Sequence, residues 1–371
     1  MAAGRGAGPV GIGIIGAGVI SQRYLENLTA FPDLDVRFIA DIELSRAQDR
    51  AHSFGIPRAG TVADLLADDQ VEIVANLTSP AVHADVDRQI IAGGKHIWSE
   101  KPLALDRASG REVLESAQAA GLRVACAPDT FLGAGLQTAR RLIASGRIGD
   151  PQSALLLFQT PGPDLWHPSP EFLFARGGGP LFDMGPYYLT ALVQNLGPVA
   201  SVMATGTRAR PVRVIGSGPN EGTEFAVDVP TNVHALITFE SGASAVAVLS
   251  FDSYLRRAGG IDVMGTLGTI QTPNPNTFTG PSTIFTADTP DGEVVPPSGF
   301  EYGRGCGILD LARSIRAGVR EQAPAELAFH VLDIMDATAE SIAAGNVVRV
   351  LSTVEPSPVL PDAWNPAART L

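Results

Sequence analysis

Short apolar runs alternate with amphipathic segments over the first third of the chain, from Val10 to about Ala127. We predict that the apolar runs are strands, which in chain order are VGIGIIG, DVRFIAD, VEIVANLT, KHIWSE and RVACA. They are apolar nearly throughout, which is typical of a parallel sheet covered by helices on both faces. The last amphipathic segment begins after Asp106 and ends at Gly121, residue types that cap helices. The pattern therefore predicts a doubly wound parallel sheet over residues 10–127, after an extended or disordered N-terminus over residues 1–9.

The pattern changes at Pro128, where strands begin to follow one another without helices between them. After one helix, GLQTARRLIASGRIG, the predicted strands are SALLLFQT, NVHALITFESGASAVAVLSFD and GGIDVMGTLGTIQT. The second splits at Ser241-Gly242, a hairpin signal. Two late helices, GILDLARSIRAGV and ELAFHVLDIMDATAESIAAG, are expected to cover one face of the sheet. We therefore predict an α+β domain with an open, largely antiparallel sheet over residues 128–371, ending in a proline-rich extended tail.

Composition narrows the class of protein. With 371 residues, of which 45% are hydrophobic and 18% charged, the chain is long and apolar enough for two globular domains. A formal net charge of -12 argues against a nucleic-acid partner, because such a surface repels phosphates. The two cysteines lie far apart, which argues against a disulfide framework or a metal site. The chain has neither a signal-peptide pattern nor an apolar run of ~18 residues, so we expect a cytoplasmic protein without a membrane partner.

A glycine-rich turn follows the first predicted strand and opens the first helix. Its sequence is G-x-G-x-x-S, with Gly16 and Gly18 at the glycine positions, Val19 and Ile20 after them, and Ser21 last. At such a turn, backbone N–H groups and the helix dipole can receive a pyrophosphate. A small third residue such as serine still allows close helix–strand packing. The turn therefore predicts a dinucleotide site.

An acidic residue ends the second predicted strand at the distance that ribose recognition requires. Asp41 lies 23 residues after Gly18, where a carboxylate accepts hydrogen bonds from the adenosine ribose. A carboxylate repels a 2′-phosphate, and Ile42 supplies no cation to bind one. Arg46 could reach the same region and leaves NADP as the less favoured cofactor. We therefore predict NAD.

Two further strand ends carry polar residues to the carboxyl edge of the sheet, where ligands bind in open α/β folds. After VEIVANLT, the residues Thr78, Ser79 and Pro80 are expected to run under the cofactor. His83 then begins a helix and is either a helix-face histidine or a cofactor neighbour.

The strand KHIWSE ends in Glu100, Lys101 and Pro102. These residues are either a surface ion pair with a helix-starting proline or part of an active site, where all three are predicted to contact the cofactor. We predict that the Lys101–Pro102 peptide bond is cis, since the cis form costs only ~0.5–1 kcal/mol before proline.

Taken in order, the glycine turn, T-x-P-x-x-H, E-K-P and the segment GGGPLFDMGPYYLTAL (Gly177–Leu192) resemble the Gfo/Idh/MocA family of oxidoreductases. The resemblance extends from Val10 to about Gly345. It implies a Rossmann domain followed by an open-faced α/β domain. It also implies nicotinamide redox chemistry on a sugar, a cyclitol or a related polyol. Many members form homodimers or homotetramers through the open sheet, so we expect the same partner here.

The resemblance also implies roles for particular residues. Lys101 matches the family's catalytic lysine and Asp183 the aspartate of the glycine-triplet segment. Tyr187 stands where some members have histidine and others tyrosine, with Tyr188 as a competitor. If Asp183 to Leu192 is one helix, Asp183 and Tyr187 lie one turn apart on one face.

Lys101, Asp183 and Tyr187 could perform the proton transfer that alcohol oxidation requires, and all three are predicted to contact substrate. A nearby ammonium lowers the pKa of a phenol, so Lys101 would favour Tyr187 as the proton acceptor while Asp183 orients the pair. Further substrate contacts are predicted at Asp129, Trp166 and His167. Trp166 either stacks on a sugar or anchors its loop as a buried residue.

Three functions therefore compete. The first is an NAD(P)-dependent dehydrogenase or reductase of secondary alcohols. The second is an NAD-dependent glycosidase or lyase that oxidises a sugar transiently, which needs the same hydride site. The third is a dinucleotide-binding sensor, against which the retained Lys101, Asp183 and Tyr187 argue.

Overall fold

The structure is a computed structural model, and it describes residues 8–371. The predicted N-terminal segment lies, except for Gly8 and Pro9, outside these residues. The chain forms two compact units. The first comprises the chain up to Gly133 together with Gly299–Phe329 and Leu360–Leu371, and the second comprises Ala134–Ser298 and His330–Val359. The first unit thus includes two carboxyl-terminal segments that the sequence pattern places in the second domain.

Residues 8–371 contain ten α-helices and seventeen strands, which we number in chain order. The helices are α1 (Val19–Leu28), α2 (Leu44–Phe54), α3 (Val62–Leu66), α4 (His83–Ala92), α5 (Arg107–Ala120), α6 (Ala134–Ala144), α7 (Gly179–Asp183), α8 (Gly185–Leu196), α9 (Cys306–Ala317) and α10 (Ala325–Ala344). The strands are β1 (Val10–Ile15), β2 (Leu34–Ala40), β3 (Arg58–Gly60), β4 (Ile73–Asn76), β5 (His96–Ser99), β6 (Val124–Cys126), β7 (Pro151–Gln159), β8 (Val199–Thr207), β9 (Val212–Val214), β10 (Glu224–Ala226), β11 (Asn232–Phe239), β12 (Ser244–Ser250), β13 (Arg257–Gly265), β14 (Gly268–Gln271), β15 (Ser282–Thr286), β16 (Glu293–Val295) and β17 (Val348–Arg349). Within the described part of the chain, every helix is too short or too polar to cross a bilayer.

The first unit is built on a six-stranded sheet in the order β3-β2-β1-β4-β5-β6. Every pair of neighbouring strands is parallel, which confirms the predicted doubly wound sheet. All six residues of β1 are buried, as expected for a strand covered on both faces. Strand order reverses on the two sides of β1, so the crevice for a ligand lies at the carboxyl ends of β1 and β4.

Helix α9 packs against the parallel sheet of the first unit instead of covering the antiparallel sheet. Its N-terminus is capped by the buried carboxylate of Asp129, which accepts hydrogen bonds from the N–H groups of Gly305 (2.8 Å) and Gly307 (3.3 Å). Further along the helix, Arg313 pairs with the buried Asp33 at 2.8 Å. These long-range polar contacts are invisible to a local reading of the sequence, which explains the different expectation.

The second unit is built on a nine-stranded sheet in the order β16-β15-β14-β13-β7-β12-β11-β8-β17. The pairing of β12 with β7 is parallel and the other pairs are antiparallel, which confirms the largely antiparallel prediction. The hairpin predicted at Ser241-Gly242 joins β11 to β12. Side chains of β11 alternate between buried and exposed, so one face of the sheet is packed and the other is open.

Candidate active site

The glycine turn contains one glycine at which a side chain would clash and one at which a side chain would have room. Gly16 has a φ of 106°, and a Cβ atom there would lie 2.6 Å from the carbonyl oxygen of Leu77. Gly18 has an extended backbone (φ −68°, ψ −169°), and a Cβ atom there would meet nothing within 4 Å. The hydroxyl of the buried Ser21 donates to the carbonyl of Gly18 at 2.7 Å, which fixes the start of helix α1. The turn is therefore rigid at its first glycine and accessible at its second.

Asp41 lies against this turn. One carboxylate oxygen accepts the N–H of Ala17 at 2.7 Å and the other accepts the N–H of Glu43 at 2.8 Å. Ile42 beside it is exposed. An open cavity of ≈ 390 Å³ lies here and is lined by Ala17, Gly18, Val19, Arg46, Asp49, Arg50 and Ser53. An accessible glycine at a helix N-terminus, a carboxylate and an open cavity fit a dinucleotide.

Arg50 is a lining residue that the sequence prediction missed. Its guanidinium donates to the carbonyl of Gly18 at 3.4 Å and to the side-chain oxygen of Gln22 at 3.3 Å. Arg50 follows Arg46 by four residues in helix α2, so the two side chains share one helix face. That spacing was the signal from which Arg50 could have been found.

The segment after β4 is held by a buried polar network. The hydroxyl of Thr78 donates to the side-chain oxygen of Asn76 at 2.6 Å, and the amide nitrogen of Asn76 donates to Asp87 at 2.8 Å. Burial raises the pKa of Asp87 to about 6, although the Asn76 hydrogen bond and the nearby His83 lower it. Ser79 is exposed and Pro80 is half-buried. Asn76 and Asp87 were absent from the predicted site because nothing in their local pattern marks them as buried.

His83 is 1% exposed and points into the unit. Its Nδ1 lies 2.7 Å from the carbonyl oxygen of Pro102, and its Nε2 lies 2.9 Å from the carbonyl oxygen of Thr78. The sequence left open a helix-face histidine or a cofactor neighbour, and the structure shows a histidine of helix α4 whose ring is buried between two carbonyl groups.

The E-K-P segment ends strand β5 at the same edge of the sheet. The Lys101–Pro102 bond is cis, as predicted. Glu100 is 7% exposed and accepts the Tyr24 hydroxyl at 2.7 Å and the Lys101 N–H at 2.9 Å. Burial, followed by the charge of Glu100, holds the pKa of Tyr24 well above its usual value, so Tyr24 remains a hydrogen-bond donor. Glu100 is therefore a fixed acceptor that orients the backbone at Lys101, and Tyr24 is a further residue that the sequence prediction missed.

Asp129, predicted as a substrate contact, is fully buried in the first unit. Burial raises the pKa of its carboxyl, an effect that Arg304 and the N–H groups of Gly305 and Gly307 oppose. Its carboxylate caps helix α9, and nothing in the segment CAPDTFLGAG reveals that partner.

In the second unit, the segment that was expected as one helix from Asp183 to Leu192 is two. Asp183 ends α7, Met184 lies between, and Tyr187 lies in the first turn of α8. The conditional placement of Asp183 and Tyr187 one turn apart on a single helix is therefore wrong. The physical reason is Pro186, which removes a backbone N–H and starts a new helix.

The two tyrosines of α8 have different surroundings. Tyr188 is fully buried, and its hydroxyl donates to the carbonyl of Gly259 at 3.1 Å. Burial raises the pKa of Tyr188 well above its usual value. Tyr187 is 5% exposed, and Asp183 is half-buried. The hydrogen bond of Tyr188 is that of a structural residue, which weakens its claim to the proton-transfer role.

The proline-rich loop ahead of the glycine triplet carries exposed aromatic rings. Trp166 is 67% exposed, so the alternative of a buried anchor is wrong. His167 packs edge-on against Trp166 and against Phe172. Phe172 is a residue that the sequence prediction missed. The loop is held by Asp164, which pairs at 2.6 Å with the fully buried guanidinium of Arg213. Aromatic rings are thus presented to solvent on a fixed support.

A parallel sheet with a glycine turn after its first strand and a carboxylate at the end of its second strand defines a dinucleotide-binding Rossmann domain. Comparison with known families agrees. Residues 10–127 match the oxidoreductase family with an NAD-binding Rossmann fold, and residues 136–271 match the GFO/IDH/MocA C-terminal domain. The chain therefore belongs to the Gfo/Idh/MocA family and is an NAD-binding oxidoreductase.

Relatives and solved structures extend this comparison. The trans-1,2-dihydrobenzene-1,2-diol dehydrogenase of Macaca fascicularis is 27% identical over 318 residues, which cover 83% of this chain and 88% of that one. Levoglucosan dehydrogenase in complex with NADH and levoglucosan superposes with a TM-score of 0.80 at 21% identity, covering 92% of this chain and 99% of that one. GenD2 from gentamicin A biosynthesis, in complex with NAD, gives a TM-score of 0.72 at 25% identity, covering 92% and 97%.

Proposed function

We propose that this protein is an NAD-dependent dehydrogenase that oxidises a secondary hydroxyl group on a small ring, as in a cyclic diol, a sugar or a cyclitol. The observation that carries the proposal is the carboxyl edge of the parallel sheet. Asp41 lies against the glycine turn there, and Lys101 follows Glu100 at the end of β5. When bound, NAD supplies the hydride acceptor for the carbon that is oxidised.

Lys101 is the residue to which we assign the reacting oxygen. Its backbone N–H is bound by the Glu100 carboxylate at 2.9 Å, and Glu100 is itself bound by Tyr24 at 2.7 Å. An ammonium group that hydrogen-bonds the substrate oxygen stabilises the negative charge that develops as the hydroxyl proton leaves. The held backbone restricts where the ammonium can reach, which is the pre-organisation that such a role requires.

We propose that Tyr187 accepts the hydroxyl proton and that Asp183 orients Lys101 and Tyr187. A phenol can accept a proton only after it has lost its own. A nearby cation favours this role because it stabilises the phenolate. The structural hydrogen bond of Tyr188 supports Tyr187 as the better candidate. The assignment of Tyr187 is tested by comparing Tyr187→Phe with Tyr188→Phe.

Trp166 and His167 are the residues to which we assign recognition of the substrate ring. An exposed indole offers an apolar face on which ring C–H groups can pack, and an imidazole can bind a hydroxyl. The relatives support a ring with hydroxyl groups, since one acts on a dihydrobenzenediol by name and a structural neighbour is in complex with levoglucosan.

A screen of cyclic diols, sugars and cyclitols with NAD, followed by NADH absorbance, tests the proposal. Stoichiometric NADH release with the oxidised ring as product is the expected result. Cleavage of a glycoside without net NADH would contradict it and favour the redox-neutral glycosidase or lyase. Absence of turnover with retained NAD binding would favour the sensor.

We also propose that the open sheet of the second unit pairs with a second copy of the chain. Met203, Leu236 and Val246 lie side by side across β8, β11 and β12, and they are 48%, 50% and 46% exposed. A contiguous apolar row on a sheet face is a typical oligomer interface. The molar mass measured by light scattering after size exclusion is expected to be that of a dimer or tetramer. Leu236→Asp should shift the measured mass toward that of the monomer. A parent protein that elutes as a monomer would contradict the proposal.

A further inference from the structure

His83 joins two loops at the carboxyl edge of the parallel sheet. Strands β4 and β5 are paired up to Asn76 and Ser99, and a last backbone bond runs from the Glu100 N–H to the Asn76 carbonyl at 2.9 Å. Beyond that point the segment after β4 continues to Thr78, and the segment after β5 continues to Pro102. The imidazole of His83 spans this gap, because one ring nitrogen faces each carbonyl oxygen.

The two contacts together favour one protonation state of the ring. A neutral imidazole has one N–H donor and one acceptor lone pair, whereas a carbonyl oxygen can only accept. With carbonyl oxygens at 2.7 Å and 2.9 Å, a neutral ring would place a lone pair against one of them. Only the doubly protonated ring donates to both, and hydrogen bonds from a charged donor are the stronger kind.

A buried imidazolium needs compensating charge. The carboxyl group of Asp87 lies one helical turn further along α4 and is fully buried. Burial raises its pKa to about 6, and the charge of a protonated His83 favours the ionised form of this carboxyl. Other ionisable groups around Asp87 are Arg88, which binds Asp85 and Glu112, and the buried thiol of Cys126. The N-terminus of α4 opposes a cation at this position, and Asp87 with the two carbonyl groups offsets it.

We propose that His83 is a doubly protonated positioning residue, which binds the carbonyl oxygens of Thr78 and Pro102 at once and so fixes the Thr78–Pro80 and Lys101–Pro102 segments relative to each other. This role rests on the proposed function in one respect, that these segments meet the nicotinamide end of the cofactor. His83 itself lies beneath them, buried, and acts through them.

Binding of NAD and of ADP-ribose to His83→Gln tests the positioning role without any knowledge of the substrate. A glutamine amide has one nitrogen and cannot donate to two carbonyl oxygens on opposite sides. We expect the Kd of NAD to rise about tenfold, equal to about 1.4 kcal/mol, while the Kd of ADP-ribose changes less than twofold. ADP-ribose lacks nicotinamide, so general damage to the fold would weaken both ligands equally. His52→Gln, an exposed histidine of helix α2, is the matched control and should leave both constants unchanged.

The protonation state has its own test, independent of ligand binding. In a protein labelled with ¹⁵N-histidine, the ring signal that disappears in His83→Gln should show two protonated nitrogens at neutral pH. If that variant does not fold, the signal is assigned by elimination from single variants of the other five histidines. A signal with one bare nitrogen, or equal losses of NAD and ADP-ribose affinity, would overturn the proposal. Failure to bind either ligand in the parent protein would instead refute the cofactor site itself.

Discussion

The two glycines of the turn give opposite predictions for the same substitution, which separates cofactor binding from folding. At Gly18 the backbone is extended and an added Cβ meets nothing within 4 Å, so Gly18→Ala should change the free energy of unfolding by no more than ~0.5 kcal/mol. The added methyl group nevertheless projects from the backbone that a pyrophosphate must approach. Loss of one hydrogen bond to a charged group, worth ~1.5–3 kcal/mol, should raise the Kd of NAD by about 10- to 100-fold.

Gly16→Ala is the matched variant with the reverse expectation. Its φ of 106° and the distance of 2.6 Å from the added Cβ to the carbonyl oxygen of Leu77 both oppose a side chain. Strain of this kind costs ~1–3 kcal/mol, so the variant should unfold at a lower temperature even without ligand.

Thermal unfolding of the ligand-free variants and calorimetric titration with NAD measure the two effects separately. Gly18→Ala should keep the parent's unfolding temperature and lose affinity, whereas Gly16→Ala should lose stability first. A Gly18→Ala protein that binds NAD with the parent's Kd would refute the placement of the pyrophosphate at this turn.

Four further predictions concern single side chains. Lys101→Ala should lower kcat at least 100-fold while the Kd of NAD stays within about threefold, and unchanged turnover would refute its assignment. Tyr187→Phe should lower kcat about 100-fold or more, and a comparable loss in Tyr188→Phe alone would transfer the role. Asp33 is buried, which alone would raise its pKa, but hydrogen bonds from Thr370, Leu371 and Arg313 lower it. The stability that Asp33 contributes is therefore fully present above the pKa of this carboxyl in the unfolded chain, and it is lost as the pH falls through its pKa in the folded protein. Asp33→Asn should lower the free energy of unfolding, measured with urea at pH 7, by ~1–3 kcal/mol. Burial raises the pKa of Asp310 from 3.8 to about 7, so the folded protein retains a proton that the unfolded chain releases. Stability should therefore fall by up to about 4 kcal/mol as the pH rises from 4 to 7, and Asp310→Asn should flatten this part of the pH profile.

Local sequence signals predicted the parallel sheet of the first unit well, because short-range residue patterns mark where its strands and helices begin and end. Asp106 accepts the N–H of Ser109 at 2.9 Å as the N-cap of α5, and Gly121 ends that helix with a φ of 68°. The same rules could have divided α7 from α8, since Gly185-Pro186 is a helix-start signal within the glycine-triplet segment. The three-residue strand β3 offered too short a pattern to detect.

Residues that act through distant partners could not be predicted in the same way. Asp129 and the N-terminus of α9 are more than 170 residues apart, as are Asp33 and the Arg313 that binds it. Tyr24 lies in the first helix and Glu100 at the end of the fifth strand, and only the folded sheet brings the hydroxyl to the carboxylate. Each of these contacts is a property of the topology.

The carboxyl edge of the parallel sheet in the first unit carries a cluster of buried polar groups. The core cluster beneath the sheet consists of apolar side chains such as Phe38, Val74 and Ile97. At the carboxyl edge, by contrast, the buried residues include Asn76, His83, Asp87, Ser99 and Glu100. Burying a polar group is unfavourable unless it is hydrogen-bonded, and at this edge Asn76 binds Asp87 at 2.8 Å while Glu100 binds Tyr24 at 2.7 Å. The network fixes the backbone at Thr78 and Lys101, and such support is expected where ligand geometry must be held closely.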